Sequence, residues 1–164
     1  MRAYAIKKGL FDGRQEIHHD ATVYSDDFDK KIDFGMRETL KTKKGKILDS
    51  WLSGFMAQNI DGALKILVYC PEDAIRIDRL VNRDGLTVSK AKKHIFLRQK
   101  KNVSKWRRLY EQEWKEWVVD KGLIEQEKEI WFWYPEMYDL AINTFKHSKE
   151  ETLKIGLEKL GIIK

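Results

Sequence analysis

The chain has 164 residues, of which 42% are hydrophobic, 35% charged and 12% aromatic; 32 basic side chains face 26 acidic ones, for a net charge of +6. Such a composition suits one domain that buries its own core, and it excludes a disordered or collagen-like chain. No apolar run approaches the roughly 18 residues of a membrane span. The basic excess favours anionic partners such as nucleic acid, nucleotides or phosphorylated metabolites, although a plain basic surface fits it equally.

The N-terminus, Met1 to Lys8, lacks the apolar core of a secretory signal. Arg2 to Leu10 reads as a short helix ending at Gly9, and Phe11 to Ser25 as irregular. A second helix is expected from about Asp26 to Lys43, with Phe28, Ile32, Met36 and Leu40 forming a four-residue apolar stripe, and Gly45 ends it. Lys46 to Asp49 is a short strand candidate. Leu64 to Cys70 is a stronger one, suited to a buried parallel strand. Pro71 and Glu72 open a helix through about Asn82, which Gly85 breaks. Thr87 or Ser89 caps a long basic helix from about Val88 to Val119. Leu140 to Ile142 is the last strand candidate. Ser148 and Glu151 form a capping-box signature for a final helix, Lys149 to Leu160. Strands alternating with helices predict an α/β fold with a parallel sheet.

Cys70 stands alone, which rules out an internal disulfide and a cysteine zinc site. It reads as a small buried hydrophobe in a reducing, cytoplasmic setting. His18 and His19 are adjacent, and His94 and His147 isolated, so none forms a helical ligand pair. Arg76, Arg79 and Arg83 share one helix face. Arg98 to Tyr110 is dense in guanidinium and ammonium groups, which suit phosphate; a solvated helix face is the plainer explanation. Trp106, Tyr110, Trp114 and Trp117 follow at helical spacing, and Trp131 to Tyr134 come soon after. Aromatics beside cations stack nucleobases, but a stripe at this spacing is more often core.

From Leu64 to Thr144 the chain resembles the C-terminal part of cytidylate kinases, in particular the short archaeal-type branch of the nucleoside monophosphate kinases. The likeness rests on an apolar strand ending near Pro71, on Arg76, Arg79, Arg83 and Gly85 at a helix end, and on the basic, lid-like Arg98 to Tyr110. The most specific piece is Tyr138-Asp139-Leu140-Ala141-Ile142-Asn143-Thr144, similar to the family's Tyr-Asp-Leu-Val-Ile-Asn-Thr; a short Glu-rich helix ends the series. Met1 to Gly9 is similar to the helix that begins the monophosphate-binding region, and Ile47 to Met56 to the strand and loop that follow it.

The resemblance implies a P-loop kinase-like three-layer α/β fold with a parallel sheet and a helix-rich lid, incomplete at its N-terminus. It implies one domain, 1–164: a monophosphate-binding region at 1–45, a core at 46–86, a lid at 87–136 and a closing strand and helix at 137–164. It further implies transfer of the ATP γ-phosphoryl to a nucleoside monophosphate, CMP or dCMP, with Mg²⁺. In that scheme Arg98 and Lys105 are lid cations on the transferring phosphoryl. Arg2 holds the monophosphate, Asp33 the base, Arg79 or Arg83 serves the lid, and Asn143 and Thr144 lie near the adenine-side loop.

The chain departs from the family pattern in several places. The G-x-x-x-x-G-K-S/T loop is absent. Gln99 and Asn102 stand where the lid has carboxylates, Lys105 where it has Arg, and Trp51 where an Arg helps hold the nucleotide. A frame started at an internal Met is the preferred account of the missing loop, a degenerate gene the other, and negligible kinase activity is expected of this chain. The alternatives are a non-catalytic basic module for nucleotide or nucleic acid, and a protein partner binding through the Trp-rich segment.

Overall fold

The structure, a computed structural model, describes residues 21–163. The expected first helix, Arg2 and the His18–His19 pair lie outside them. Helix α1 spans Asp26–Thr42. Its N-cap is Ser25, whose side chain accepts the Phe28 N–H, and Asp26, Asp27 and Asp29 in its first turn favour the positive end of the helix dipole. A short α2, Ser53–Met56, leads through a loop to strand β1, Ile66–Tyr69. Helix α3, Asp73–Asp84, ends on Gly85 at φ 65°, a left-handed C-cap that glycine adopts without a Cβ clash.

Thr87 caps the next helix and its side chain accepts the Lys90 N–H. Helical backbone then runs on through α4, Val88–Lys92, a wide π turn at Lys93–Leu97 and α5, Arg98–Leu109. The single helix expected to reach Val119 stops at Tyr110, where φ −120° and ψ 26° leave the helical region. Helix α6, Glu111–Trp114, and a second π turn, Lys115–Val119, resume it. Strand β2, Leu140–Asn143, and helix α7, Lys149–Lys159, complete the chain. Both bonds of the Ser148–Glu151 capping box form, as expected.

The fold is mixed α/β and rich in helix, with a small parallel sheet. β1 pairs with β2 in register Ile66 to Leu140 through Tyr69 to Asn143. The strand expected at Lys46 to Asp49 does not form: this segment pairs with no strand among the described residues.

The core is aromatic and lies in the helical part. Leu52, which precedes α2, Phe55 and Met56 within it, Trp106, Leu109, Tyr110, Trp114 and Val118 from the α5–α6 region, and Ile124, Phe132 and Met137 form one buried cluster. Phe55 meets Phe132 edge to face at 4.8 Å between centroids, and Trp114 meets Phe132 at 5.9 Å. Such edge contacts add about 0.5–1.5 kcal/mol each to the area they bury. The stripe is core at Trp106, Tyr110 and Trp114, and Trp117 packs half-buried against the same cluster.

Helix α1 buries an unexpected face. Asp29, Asp33 and Arg37 are its buried residues, while Phe28, Ile32, Met36 and Leu40 are half-buried. Each inward charge has partners. Lys105 reaches Asp29, Tyr110 reaches Asp33, and Arg37 donates to the carbonyls of Met56 and Gln58, both at 2.7 Å. The Arg37 guanidinium also lies 4.0 Å from the Trp117 ring centroid.

Candidate functional site

A cavity of about 520 Å³ lies between β1 and the extended segment Leu48 to Ser50. One wall is Ile66 to Cys70. Trp51, Trp131, Trp133 and Tyr138 line it together with Arg76 and Gln99. The edge of β1 away from β2 has no strand partner among the described residues, so the cavity abuts an open sheet edge.

The aromatic wall is held by its own contacts. Trp133 donates its ring N–H to the Trp51 carbonyl at 2.7 Å, and stands edge to face with Trp51 at 5.6 Å and with Trp131 at 4.9 Å. Trp51 is 38% exposed, and the Arg98 guanidinium lies 5.0 Å from its ring centroid. Gly54 is required here, since a Cβ on it would sit 2.2 Å from Cε1 of the Tyr138 ring. Tyr138 donates its hydroxyl to the Phe132 carbonyl at 2.7 Å, and burial pushes its phenol well above the usual range.

Arg76 comes from the first turn of α3. It donates to Asp73 at 2.8 Å and to the Gln99 side-chain oxygen at 3.0 Å, which fixes the guanidinium at the cavity margin. Sequence reasoning placed Arg76 in a basic stripe but gave it no site, and missed Gln99 as its partner. The legible signal was an Arg one turn before Arg79, just past the carboxyl end of a strand.

Arg79 clamps that same end of the sheet. It donates to Thr144 Oγ1 at 2.9 Å and to the Thr144 carbonyl at 2.7 Å, while the Thr144 N–H and hydroxyl donate to the Tyr69 carbonyl. Asn143 Oδ1 accepts the Phe145 N–H at 2.9 Å and shapes the turn that follows. Arg83 makes a two-pronged pair with Asp84, at 2.7 and 2.8 Å, on the exposed end of α3.

The remaining expected residues lie elsewhere. Lys105, expected as a lid cation, is 8% exposed and points inward: its ammonium donates to Asp29 at 2.7 Å and to the Tyr24 carbonyl at 2.7 Å, with Asp26 at 3.5 Å. Asp33, expected at the base, is 5% exposed beneath Tyr110. Burial pushes the Asp33 carboxyl up to about 6, against the Tyr110 hydrogen bond, and raises Asp29 despite Lys105. Tyr110 is raised too, by burial and by the Asp33 charge. This cluster fastens α1 to α5 and does not face the cavity.

Aromatic faces, the Arg76 guanidinium, the Gln99 amide and the Asp49 carboxylate line the cavity, and the Arg98 guanidinium stands against the Trp51 ring. No glycine-rich backbone cradle and no cluster of three metal-ligating side chains is found among the described residues. No described helix is long and apolar enough to cross a membrane. Comparison of the chain with protein-family models, with curated proteins and with solved structures gave no match.

Proposed function

We propose that the chain is a nucleotide-binding domain of the cytidylate kinase-like type, which takes a nucleoside monophosphate, CMP or dCMP, in the cavity beside β1. The observation that carries this reading is the meeting of an aromatic wall with Arg76 at the carboxyl end of a parallel strand. Open α/β sheets bind ligands beyond the carboxyl ends of their strands. Trp51, Trp131 and Trp133 supply faces for the base, and Arg76 and Arg98 the charge for the phosphate. The P-loop three-layer architecture is part of the same proposal, and the open edge of β1 is consistent with a larger parallel sheet.

In such kinases ATP and Mg²⁺ supply the transferred phosphoryl group and neutralise its charge. The residues of this chain would bind and orient the acceptor nucleotide. With no glycine-rich phosphate loop in its sequence, the 164-residue chain is expected to bind the monophosphate and to transfer a negligible amount of phosphoryl.

Titration with CMP, followed by tryptophan fluorescence, tests the reading. Saturable quenching is expected, weakened by Trp51→Leu and by Arg76→Ala. No change up to about 1 mM, the weak end of ordinary substrate affinity, would overturn it. Steady ATP-dependent phosphorylation of CMP by this chain would overturn the inactivity. A second reading, a non-catalytic nucleotide binder, is favoured by the commitment of Lys105 to Asp29. An in-frame G-x-x-x-x-G-K-S/T upstream of Met1 would decide against it.

A further inference from the structure

The helix that runs from Val88 divides into two electrostatic halves. Between Val88 and Tyr110 the sequence has nine basic residues and no acidic one. In the second half the cations are neutralised from outside the helix: Lys105 by Asp29 and Asp26, Arg107 by Glu129 and Arg108 by Asp26. In the first half Lys92, Lys93 and Lys100 are exposed, and none has an ion-pair partner among the described residues. Asp73 and Asp78 of α3 line the groove that Lys92 borders, without reaching ion-pair distance; Asp73 is bound to Arg76.

Phe96 sits among these cations. Lys92 and Lys93 lie one turn before it and Lys100 one turn after. Its ring is 40% exposed, and its inner side borders an apolar groove with Ile77, Val81 and Val88 that supports it from beneath. The Arg76 guanidinium approaches the ring centroid to 6.0 Å. A supported, solvent-facing ring between unneutralised ammonium groups combines a stacking platform with phosphate contacts.

We infer that the α4–α5 face carrying Lys92, Lys93, Phe96 and Lys100 binds single-stranded nucleic acid, with a base stacked on Phe96 and backbone phosphates on the three lysines. Base recognition at this face is sequence-tolerant, because it offers a ring and point charges but no fixed fork of donors and acceptors. The face adjoins the cavity beside β1 through Arg76, which approaches the Phe96 ring and lines the cavity, but it does not depend on the nucleotide reading.

Fluorescence anisotropy of an end-labelled 20-nucleotide oligo(dT) with the full chain tests this. Binding is expected at low salt, with log affinity falling against log salt at a slope of about −2, the value for three phosphate contacts on a single strand. Phe96→Ala is expected to weaken binding about tenfold, and Lys92→Glu with Lys100→Glu to abolish it, both with unchanged circular dichroism. A salt slope near zero, equal binding of a blunt duplex, or Phe96→Ala binding like the parent would each overturn the inference. The slope and the duplex comparison use the unmodified chain, so misfolding of a variant does not obscure the outcome.

Discussion

Tyr110 donates its hydroxyl to Asp33 Oδ2 at 2.6 Å, joining the end of α5 to the middle of α1 within the core. The pair gives the fold a pH dependence of definite sign. Asp33 is raised from its usual 3.8 to about 6 by burial, so the folded state holds this proton more tightly than the unfolded state. Its contribution is fully present below about 3.8 and is lost as pH rises towards about 6, a difference of about 3 kcal/mol at most. Exposed Asp26, Asp84 and Glu151 are lowered by their partners and act in the opposite direction. Asp33→Asn isolates the effect: its stability relative to the parent should rise from pH 4 to pH 6 and then level off, as read by urea unfolding.

Tyr110→Phe keeps the ring and removes the donor. The buried carboxylate then loses its partner, and a loss of about 1–3 kcal/mol is expected at pH 7. The loss should shrink near pH 4, where the carboxyl is protonated. A loss equal at both pH values would mean that the hydroxyl serves the protonated carboxyl as well as the carboxylate.

Lys105→Met leaves Asp29 buried without its counter-charge. Breaking one side of such a pair costs about 3–5 kcal/mol, whereas Lys105→Met with Asp29→Leu should regain most of it in a double-mutant cycle. The thermal melt reads both. A Lys105→Met chain with an unchanged melt and weakened CMP binding would place the ammonium on the ligand instead.

Gly54→Ala drives a methyl into the Tyr138 ring. Overpacking of this kind costs about 1–3 kcal/mol. Pairing it with Tyr138→Leu should relieve the strain. CMP quenching should weaken in Gly54→Ala, because Tyr138 lines the cavity.

Much of this organisation was legible in the sequence, and the rest was lost for identifiable reasons. Caps at Thr87 and Ser148, the Gly85 stop and the strand around Ile66 to Tyr69 depend on local backbone chemistry, and they appear close to where the residues place them. Helix α1 was legible, but its inward face was not. Its residues form an apolar stripe and a charged stripe, and only tertiary partners far along the chain, Lys105 and Tyr110, make the charged one bury well. The helix break at Tyr110 escaped for a similar reason, since neither Gly nor Pro marks it. The segment from Lys46 to Asp49 has strand-like residues, but a strand needs a neighbour, and none is present among the described residues. At the cavity, the family resemblance marked Trp51 and helical spacing the arginines, but neither marked the Gln99–Arg76 bond, which spans 23 residues.

The parallel pairing of β1 with β2 joins residues 74 positions apart. Closing so long a loop is entropically unfavourable until the helices between have collapsed. The aromatic cluster closes a span as long, from Phe55 to Phe132, but it is buried, whereas the sheet is two four-residue strands and leaves Val68 56% exposed. The sheet is therefore the part expected to open first. Peptide hydrogens at Leu140 and Thr144 should then exchange with solvent sooner than those of Trp106 to Tyr110, and the carboxyl ends of the strands would breathe while the rest stays folded.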